Sequence, residues 1–202
     1  MSLINHLVVF AKAPRIGQVK TRLAADIGAV NAWAFARHTL NAVVRPLGND
    51  PRWRCWLAVT PDAAVFHRRQ WPPTFGRISQ GQGDLGRRMA GVAESLPPGP
   101  VVIIGTDVPA IRPHHAALAF EALGRDDFVF GPAHDGGYWL VGLKRRPVFS
   151  DIFGGVRWST EHALTDTVAN LQDGKTHSLL ETLDDIDDAG AYDRWQKKAG
   201  RR

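Results

Sequence analysis

The sequence predicts an α/β fold of three layers, with helices on both faces of a mostly parallel central sheet, formed as a single domain over residues 1–202. Strand-like and helix-like segments alternate along the whole chain without an internal repeat or low-complexity tract, the pattern of successive βαβ units. The run Val101-Val102-Ile103-Ile104 is β-branched at every position, which suits a strand covered on both faces. A chain of 202 residues with 44% hydrophobic and 22% charged content is long enough to bury one such core.

Residues 3–10, Leu-Ile-Asn-His-Leu-Val-Val-Phe, form the first predicted strand. From Thr21 to about Leu47 apolar residues recur at helical spacing, Leu23, Ile27, Val30, Ala34, Leu40 and Val44 among them, and Gly28 divides the stretch into two helices. Residues 53–60 predict a second strand, closed by Thr60-Pro61-Asp62, which caps a following helix; residues 77–80 predict a short third strand. Gly83-Asp84-Leu85-Gly86 opens a helix that reaches Leu96, with Asp84 as its N-cap and Arg87-Arg88 as an exposed pair, although a glycine-flanked helix start can also touch a ligand. Pro97-Pro98-Gly99-Pro100 marks where the β-branched strand begins. Pro113 starts a helix to about Leu123, and 127–130 resumes the sheet. His114 and His115 are adjacent, so on a helix they cannot share one metal and read as surface or capping residues. Trp158-Ser159-Thr160-Glu161 predicts a helix start running to about Leu171, with Ser159 as N-cap and Glu161 in an acidic first turn. Residues 176–180 are the last predicted strand, followed by a C-terminal helix.

Four stretches carry chemistry. The β-branched strand ends at Thr106 and Asp107, and ligands in open α/β sheets collect beyond the carboxyl ends of the strands; an Asp before Pro109 also orders a turn. After the first strand, Lys12, Arg15, Lys20 and Arg22 place four cations in a turn that leads, through Thr21, into a helix, where backbone N–H groups and the helix dipole favour an anion. A polyphosphate is the natural guest, a surface turn the plainer reading, and a single glycine without Gly-Lys order rules out a Walker loop. Asp135-Gly136-Gly137-Tyr138 joins two strands; it permits a positive φ and close approach to a ligand, and equally serves as a hairpin turn. Asp184-Asp185-Ile186-Asp187-Asp188 places Asp185 and Asp187 on one side when extended, a set of hard oxygens for a divalent cation, or else a solvated helix cap.

The formal charge of +5 and pI of about 9.8 invite a nucleic-acid reading. The excess sits in scattered clusters, Arg68-Arg69, Arg87-Arg88, Lys144-Arg145-Arg146 and the tail Lys197-Lys198 with Arg201-Arg202, with no interleaving of aromatics and basics, so solvated surface is favoured and nucleic acid is not an expected partner. No apolar run is long enough to span a bilayer, and Met1 leads into a strand-like segment without a basic region or cleavage site; the expectation is a soluble, cytoplasmic protein that does not engage a membrane. The lone Cys55 lies in an apolar segment and reads as a buried small hydrophobe. The seven tryptophans are dispersed beside apolar segments, as core and rim residues are. Nothing in the pattern defines an oligomeric state.

Taken together, the stretches Lys12-Ala-Pro-Arg-Ile-Gly-Gln-Val-Lys-Thr-Arg-Leu23, Gly105-Thr-Asp-Val-Pro109 and Gly131-Pro-Ala-His-Asp-Gly-Gly-Tyr-Trp-Leu-Val-Gly142 closely resemble a bacterial family of glycosyltransferase-A-like proteins. That family has the nucleotide-diphospho-sugar transferase fold; it was long catalogued as a domain of unknown function and is labelled rSAM-associated or arsenosugar-type glycosyltransferase. The chain is also similar to phospholactate guanylyltransferase, through the Lys-Thr/Ser-Arg-Leu helix start and an Asp-x-Asp before the last helix, and more distantly to the molybdenum-cofactor guanylyltransferases. The resemblance implies that Lys12, Arg15, Lys20, Thr21 and Arg22, with Thr106, Gly136, Gly137 and Tyr138, surround a nucleotide. It also implies that Asp107 holds Mg²⁺ or Mn²⁺, with Asp185 and Asp187 completing the metal site. The sequence departs from the family after Asp187, where Asp188-Ala-Gly-Ala-Tyr192 stands in place of Thr-Pro-Glu-Asp-Leu.

The expectation is thus a divalent-metal-dependent transferase with a nucleotide-activated donor, moving a sugar from a nucleotide sugar to a small acceptor. The alternative is a nucleotidyltransferase that joins a nucleoside triphosphate to a small phosphorylated acceptor and releases pyrophosphate. Non-enzymatic binding of a nucleotide or RNA stands third. Asp107, Asp135 and Lys20 are the expected catalytic residues, with Asp135 or Tyr138 positioning the acceptor and Asp135 as a possible base.

Overall fold

The computed structural model describes residues 3–67, 71, 75–145 and 149–199. Arg68-Arg69, Arg146 and Arg201-Arg202 of the predicted basic clusters lie outside them.

The β-branched run is a strand buried at all four positions, with parallel and antiparallel neighbours on its two edges. It is the fourth of seven among the described residues: β1 (His6–Lys12), β2 (Arg54–Thr60), β3 (Gly76–Ser79), β4 (Val101–Ile104), β5 (Phe128–Pro132), β6 (Tyr138–Leu143) and β7 (His177–Leu179). They form one sheet in the order β3-β2-β1-β4-β6-β5-β7. Among the described residues only β6 runs against its neighbours, because it returns directly from β5 through a short hairpin; every other pairing there is parallel.

Alternation along the strands splits the core into two layers. Leu7, Val9 and Ala11 of β1 with Val102 and Ile104 of β4 face the helices α2 (Ala29–Gly48) and α4 (Pro113–Arg125) through Leu40, Val43, Leu47, Ala119 and Leu123. Val8, Val101 and Ile103 face the other way, onto Met89, Val92 and Ala93 of α3 (Leu85–Ser95) and onto Ile152 and Phe153. Each fully buried Val, Leu or Ile contributes about 1.5–3 kcal/mol, so these two layers are what holds the three-layer arrangement. A third cluster joins Leu23 of α1 (Thr21–Ile27) and Phe35 of α2 to Ile186, Ala191 and Tyr192, which ties α6 (Ala189–Ala199) and the acidic segment before it to the start of the chain.

Several local expectations differ. Val30 is 62% exposed, since α2 turns Ala32, Phe35 and Thr39 inward instead. The stretch after Pro61 is a single 3₁₀ turn, Asp62–Phe66, with no side-chain cap. Ser159 does not cap a helix: it sits at φ 62° in a turn, and α5 begins later, at Ala163–Ala169. The reason is tertiary, because Thr160 bonds back to the Arg157 carbonyl and the Glu161 backbone is packed against Gly136. Asp84 does cap α3, accepting the Arg87 N–H at 2.8 Å. Cys55 is buried, and burial pushes its thiol up to about 12.

Candidate functional site

The chain builds β1, β2 and β3 outward on one side and then places β4 on the other edge of β1, so the sheet order reverses between β1 and β4. Loops leaving the two strands at such a reversal diverge and leave a crevice. Here an open cleft of about 780 Å³ lies over it. The cleft brings together Lys12, Lys20, Thr21 and Arg22 from the β1–α1 connection, Thr106 and Asp107 from the end of β4, Asp135, Gly137 and Tyr138 from the β5–β6 hairpin, and Asp185 and Asp187 from the acidic segment. These are stretches that local sequence reading leaves separate.

Two predicted residues are not part of that lining. Arg15 lies in the turn closed by the Gln18 N–H on the Arg15 carbonyl. Gly136 has φ 84°, and a Cβ there would stand 2.2 Å from the Glu161 carbonyl oxygen, so the glycine serves the close packing of the hairpin on the 157–162 turn. Both readings of Asp-Gly-Gly therefore meet in one place: the segment is a hairpin turn, and its Asp135 stands on the cleft wall, with Oδ1 accepting the Gly137 N–H at 2.9 Å.

Lys20 is the centre of the arrangement. Its side chain is 6% exposed, and its ammonium lies 2.7 Å from Asp107 Oδ1 and 2.7 Å from Asp187 Oδ1. It also donates to the Ile186 carbonyl at 2.7 Å. Burial opposes the charged form, but the charges of Asp107 and then Asp187 outweigh it and raise the amine above its ordinary value. The acidic segment is held there by backbone as well: the Leu183 N–H donates to the Pro132 carbonyl and the Ile186 N–H to the Asp107 carbonyl, while Ile186 anchors in the third core cluster. Beside it, burial first, and then the charges of Asp135 and Asp187, push the Asp185 carboxyl up to about 6.

This donor set fits a divalent cation of the Mg²⁺ or Mn²⁺ kind. Asp107, Asp185 and Asp187 offer only hard oxygens, and a cationic ammonium already bridges two of them. Among the described residues, the group of three ligand atoms all within 4.8 Å of one another lies elsewhere, at His114, His115 and Glu181. Glu181 reaches both imidazoles from the segment after β7, at 3.9 and 2.7 Å. His115 is buried rather than on the surface, and it is a cap: its Nδ1 accepts the Arg112 N–H at 2.9 Å. A neutral imidazole with Nδ1 so occupied carries its proton on Nε2, which then donates to Glu181 and has no lone pair for a metal.

Three cleft features escape the sequence reading. Arg88 lines the cleft instead of standing with Arg87 in solvent, held by Gln80 Oε1 at 2.9 Å and the Asp84 carbonyl at 3.2 Å. Gln80 is buried and donates to the Ala11 and Ala58 carbonyls at the ends of β1 and β2. Trp158 packs over Gly86, on Phe153 and edge-on to Tyr138, and its buried Nε1 has no partner among the described residues. The Tyr138 hydroxyl pairs with Thr167 Oγ1 at 3.4 Å, and burial raises it well above the usual phenol range.

Among solved structures, a provisionally assigned nucleotide-diphospho-sugar transferase from Desulfovibrio desulfuricans G20 is 26% identical, with a TM-score of 0.85 over 93% of this chain and 84% of that one. Rv0371c from Mycobacterium tuberculosis H37Rv, solved as a manganese complex, is 14% identical, with a TM-score of 0.61 over 98% of this chain and 100% of that one. A CMP:2-keto-3-deoxy-manno-octonic acid synthetase complexed with CTP is 11% identical, with a TM-score of 0.62 over 98% and 99%. The last two share the fold alone. No curated protein matches the sequence. A family model described as "Uncharacterized protein conserved in bacteria (DUF2064)" matches residues 43–160, more than half of the chain, and the protein belongs to that family.

Proposed function

We propose that this protein is a transferase that takes a nucleotide-activated donor in the β1–β4 crevice and, with a divalent cation, passes a glycosyl group to a small acceptor. The observation that carries the reading is the convergence on one cleft of cations from the β1–α1 connection and α3 with four carboxylates, two of them bridged by Lys20. Support for the donor class comes from the Desulfovibrio structure, similar over nearly the whole chain and described as a nucleotide-diphospho-sugar transferase.

In this reading Lys12, Arg22 and Arg88 neutralise the donor's phosphates, which lowers the cost of the charge that gathers on a departing nucleoside diphosphate. Asp107, Asp185 and Asp187 would hold Mg²⁺ or Mn²⁺, which would supply further neutralisation of the donor's charge. Asp135, exposed on the cleft wall, accepts the proton of the acceptor hydroxyl as that oxygen bonds to the sugar carbon. The electron pair of the broken carbon–oxygen bond leaves with the diphosphate. The rings of Tyr138 and Trp158 form an apolar wall that fixes the acceptor's position.

The number of cations around the crevice favours a second reading, in which a nucleoside triphosphate is the donor and pyrophosphate departs. ³¹P NMR of a reaction with a mixed set of nucleotide sugars, nucleoside triphosphates and small hydroxyl and phosphate acceptors separates the two. Appearance of a nucleoside diphosphate from a nucleotide sugar supports glycosyl transfer; pyrophosphate from a triphosphate supports nucleotidyl transfer in its place.

A further inference from the structure

We infer that Lys20 is a positioning residue that holds Asp107 and Asp187 together at the place a divalent cation would take, so that the cation and the ammonium compete for the same carboxylates. The inference rests on the reading above, in which those carboxylates hold a metal. Lys20 turns its ammonium inward: it donates hydrogen bonds to Asp187 and to the Ile186 carbonyl and forms an ion pair with Asp107, each at 2.7 Å. Lys12 and Arg22 line the same cleft, are exposed, and make no ion pair among the described residues. The cations of the β1–α1 connection therefore divide into two kinds, outward ones available to a ligand and one inward one already bound.

The backbone supports the inward placement. Lys20 is the N-cap residue of α1 and stands at φ 48°, ψ 48°, the left-handed region that a residue with a Cβ adopts only when its surroundings compensate. That conformation aims the side chain back across the β1–β4 reversal to the acidic segment, which its three contacts then fasten to the end of β4. A divalent ion entering the nucleotide-free protein has to displace a buried, doubly paired ammonium. When a nucleotide enters with the ion, its phosphates offer the displaced ammonium new partners. Ion and nucleotide should therefore bind together, and the ion alone weakly.

The test is Mn²⁺ titration of nucleotide-free protein, read from the loss of the free-ion EPR signal. Wild type, Lys20→Met, Lys20→Gln and Asp107→Asn are compared, each checked for folding by far-UV circular dichroism. Lys20→Met and Lys20→Gln are expected to bind Mn²⁺ at least tenfold more tightly than wild type, and added nucleoside diphosphate should tighten binding in wild type more than in either variant. Folded neutral variants that bind Mn²⁺ no more tightly than wild type overturn the inference. A second measurement needs no variant: saturating Mn²⁺ alone should raise amine-reactive labelling of Lys20 in wild type, detected by peptide mass spectrometry, and unchanged labelling at saturation overturns the inference equally. If Asp107→Asn binds Mn²⁺ with nucleotide as tightly as wild type, the failure belongs to the metal-site reading and not to the competition.

Discussion

Asp107→Ala probes the arrangement at its centre. The substitution removes one of two carboxylates from an ammonium whose side chain is 6% exposed. Breaking a fully buried ion pair costs about 3–5 kcal/mol, and an exposed pair about 0.2–1 kcal/mol. Asp107 itself is 55% exposed, so water screens the pair, and Lys20 keeps Asp187 and the Ile186 carbonyl. The expected loss lies between the limits, about 1–2 kcal/mol. At roughly 2–4 °C per kcal/mol for a chain of this size, the unfolding midpoint falls by about 2–8 °C while the fold persists. The pH dependence follows from the raised Lys20 amine, where burial is outweighed by Asp107 and Asp187. A raised amine contributes stability that is complete below its unfolded value of about 10.4 and is lost as pH rises through the higher folded value. The gap between wild type and variant should thus be level from neutral pH to about 9 and close above about 10.5. Thermal unfolding by circular dichroism between neutral and alkaline pH measures it. An unchanged midpoint at pH 7, or a gap that does not narrow at alkaline pH, refutes the reasoning.

Three further outcomes are expected. The folded protein keeps a proton on Asp185 between about 4 and 6, where the unfolded chain has lost it, so this group's contribution to stability falls as pH rises through that window. Asp185→Asn should remove that part of the slope in a thermal-unfolding series from pH 4 to 7. Arg88→Gln should weaken donor binding by about tenfold, the scale of one lost hydrogen bond from a charged group, and lower the ligand-free midpoint modestly because Gln80 Oε1 loses its partner; isothermal calorimetry with the donor and thermal unfolding without it read the two effects. Gly86→Ala places a Cβ 2.7 Å from Trp158 Cζ2 and 2.9 Å from the Phe153 carbonyl oxygen. Overpacking of this kind costs about 1–3 kcal/mol, and the displaced Trp158 should raise KM for the acceptor more than it lowers kcat.

The sheet was legible because β-branched and apolar runs are local signals, and the parallel arrangement followed from their alternation with helical spacing. The acidic and basic residues were legible one stretch at a time: Asp107 from the end of a buried strand, Asp185 and Asp187 from their alternation, Lys20 from a cluster of cations. That Lys20 turns inward was not legible, because its partners lie 87 and 167 residues away and are brought to it by backbone pairing at Asp107 and Ile186. Arg88 looked like surface because nothing local shows that Gln80 bonds two strand ends and steadies the guanidinium. Ser159 carried a sound capping signal that tertiary packing of Glu161 on Gly136 overrode.

The central claim, a crevice that takes a nucleotide-activated donor together with a divalent cation, is tested most directly by thermal unfolding against nucleotide sugars and nucleoside triphosphates, each with and without Mn²⁺ or Mg²⁺. A ligand at a hundred times its dissociation constant stabilises the fold by about 2.7 kcal/mol, a rise of roughly 5–11 °C at this size. The account predicts such a rise for one donor with metal and a much smaller one without it. No rise with any donor, or a rise that is the same after Asp107→Ala, would contradict it.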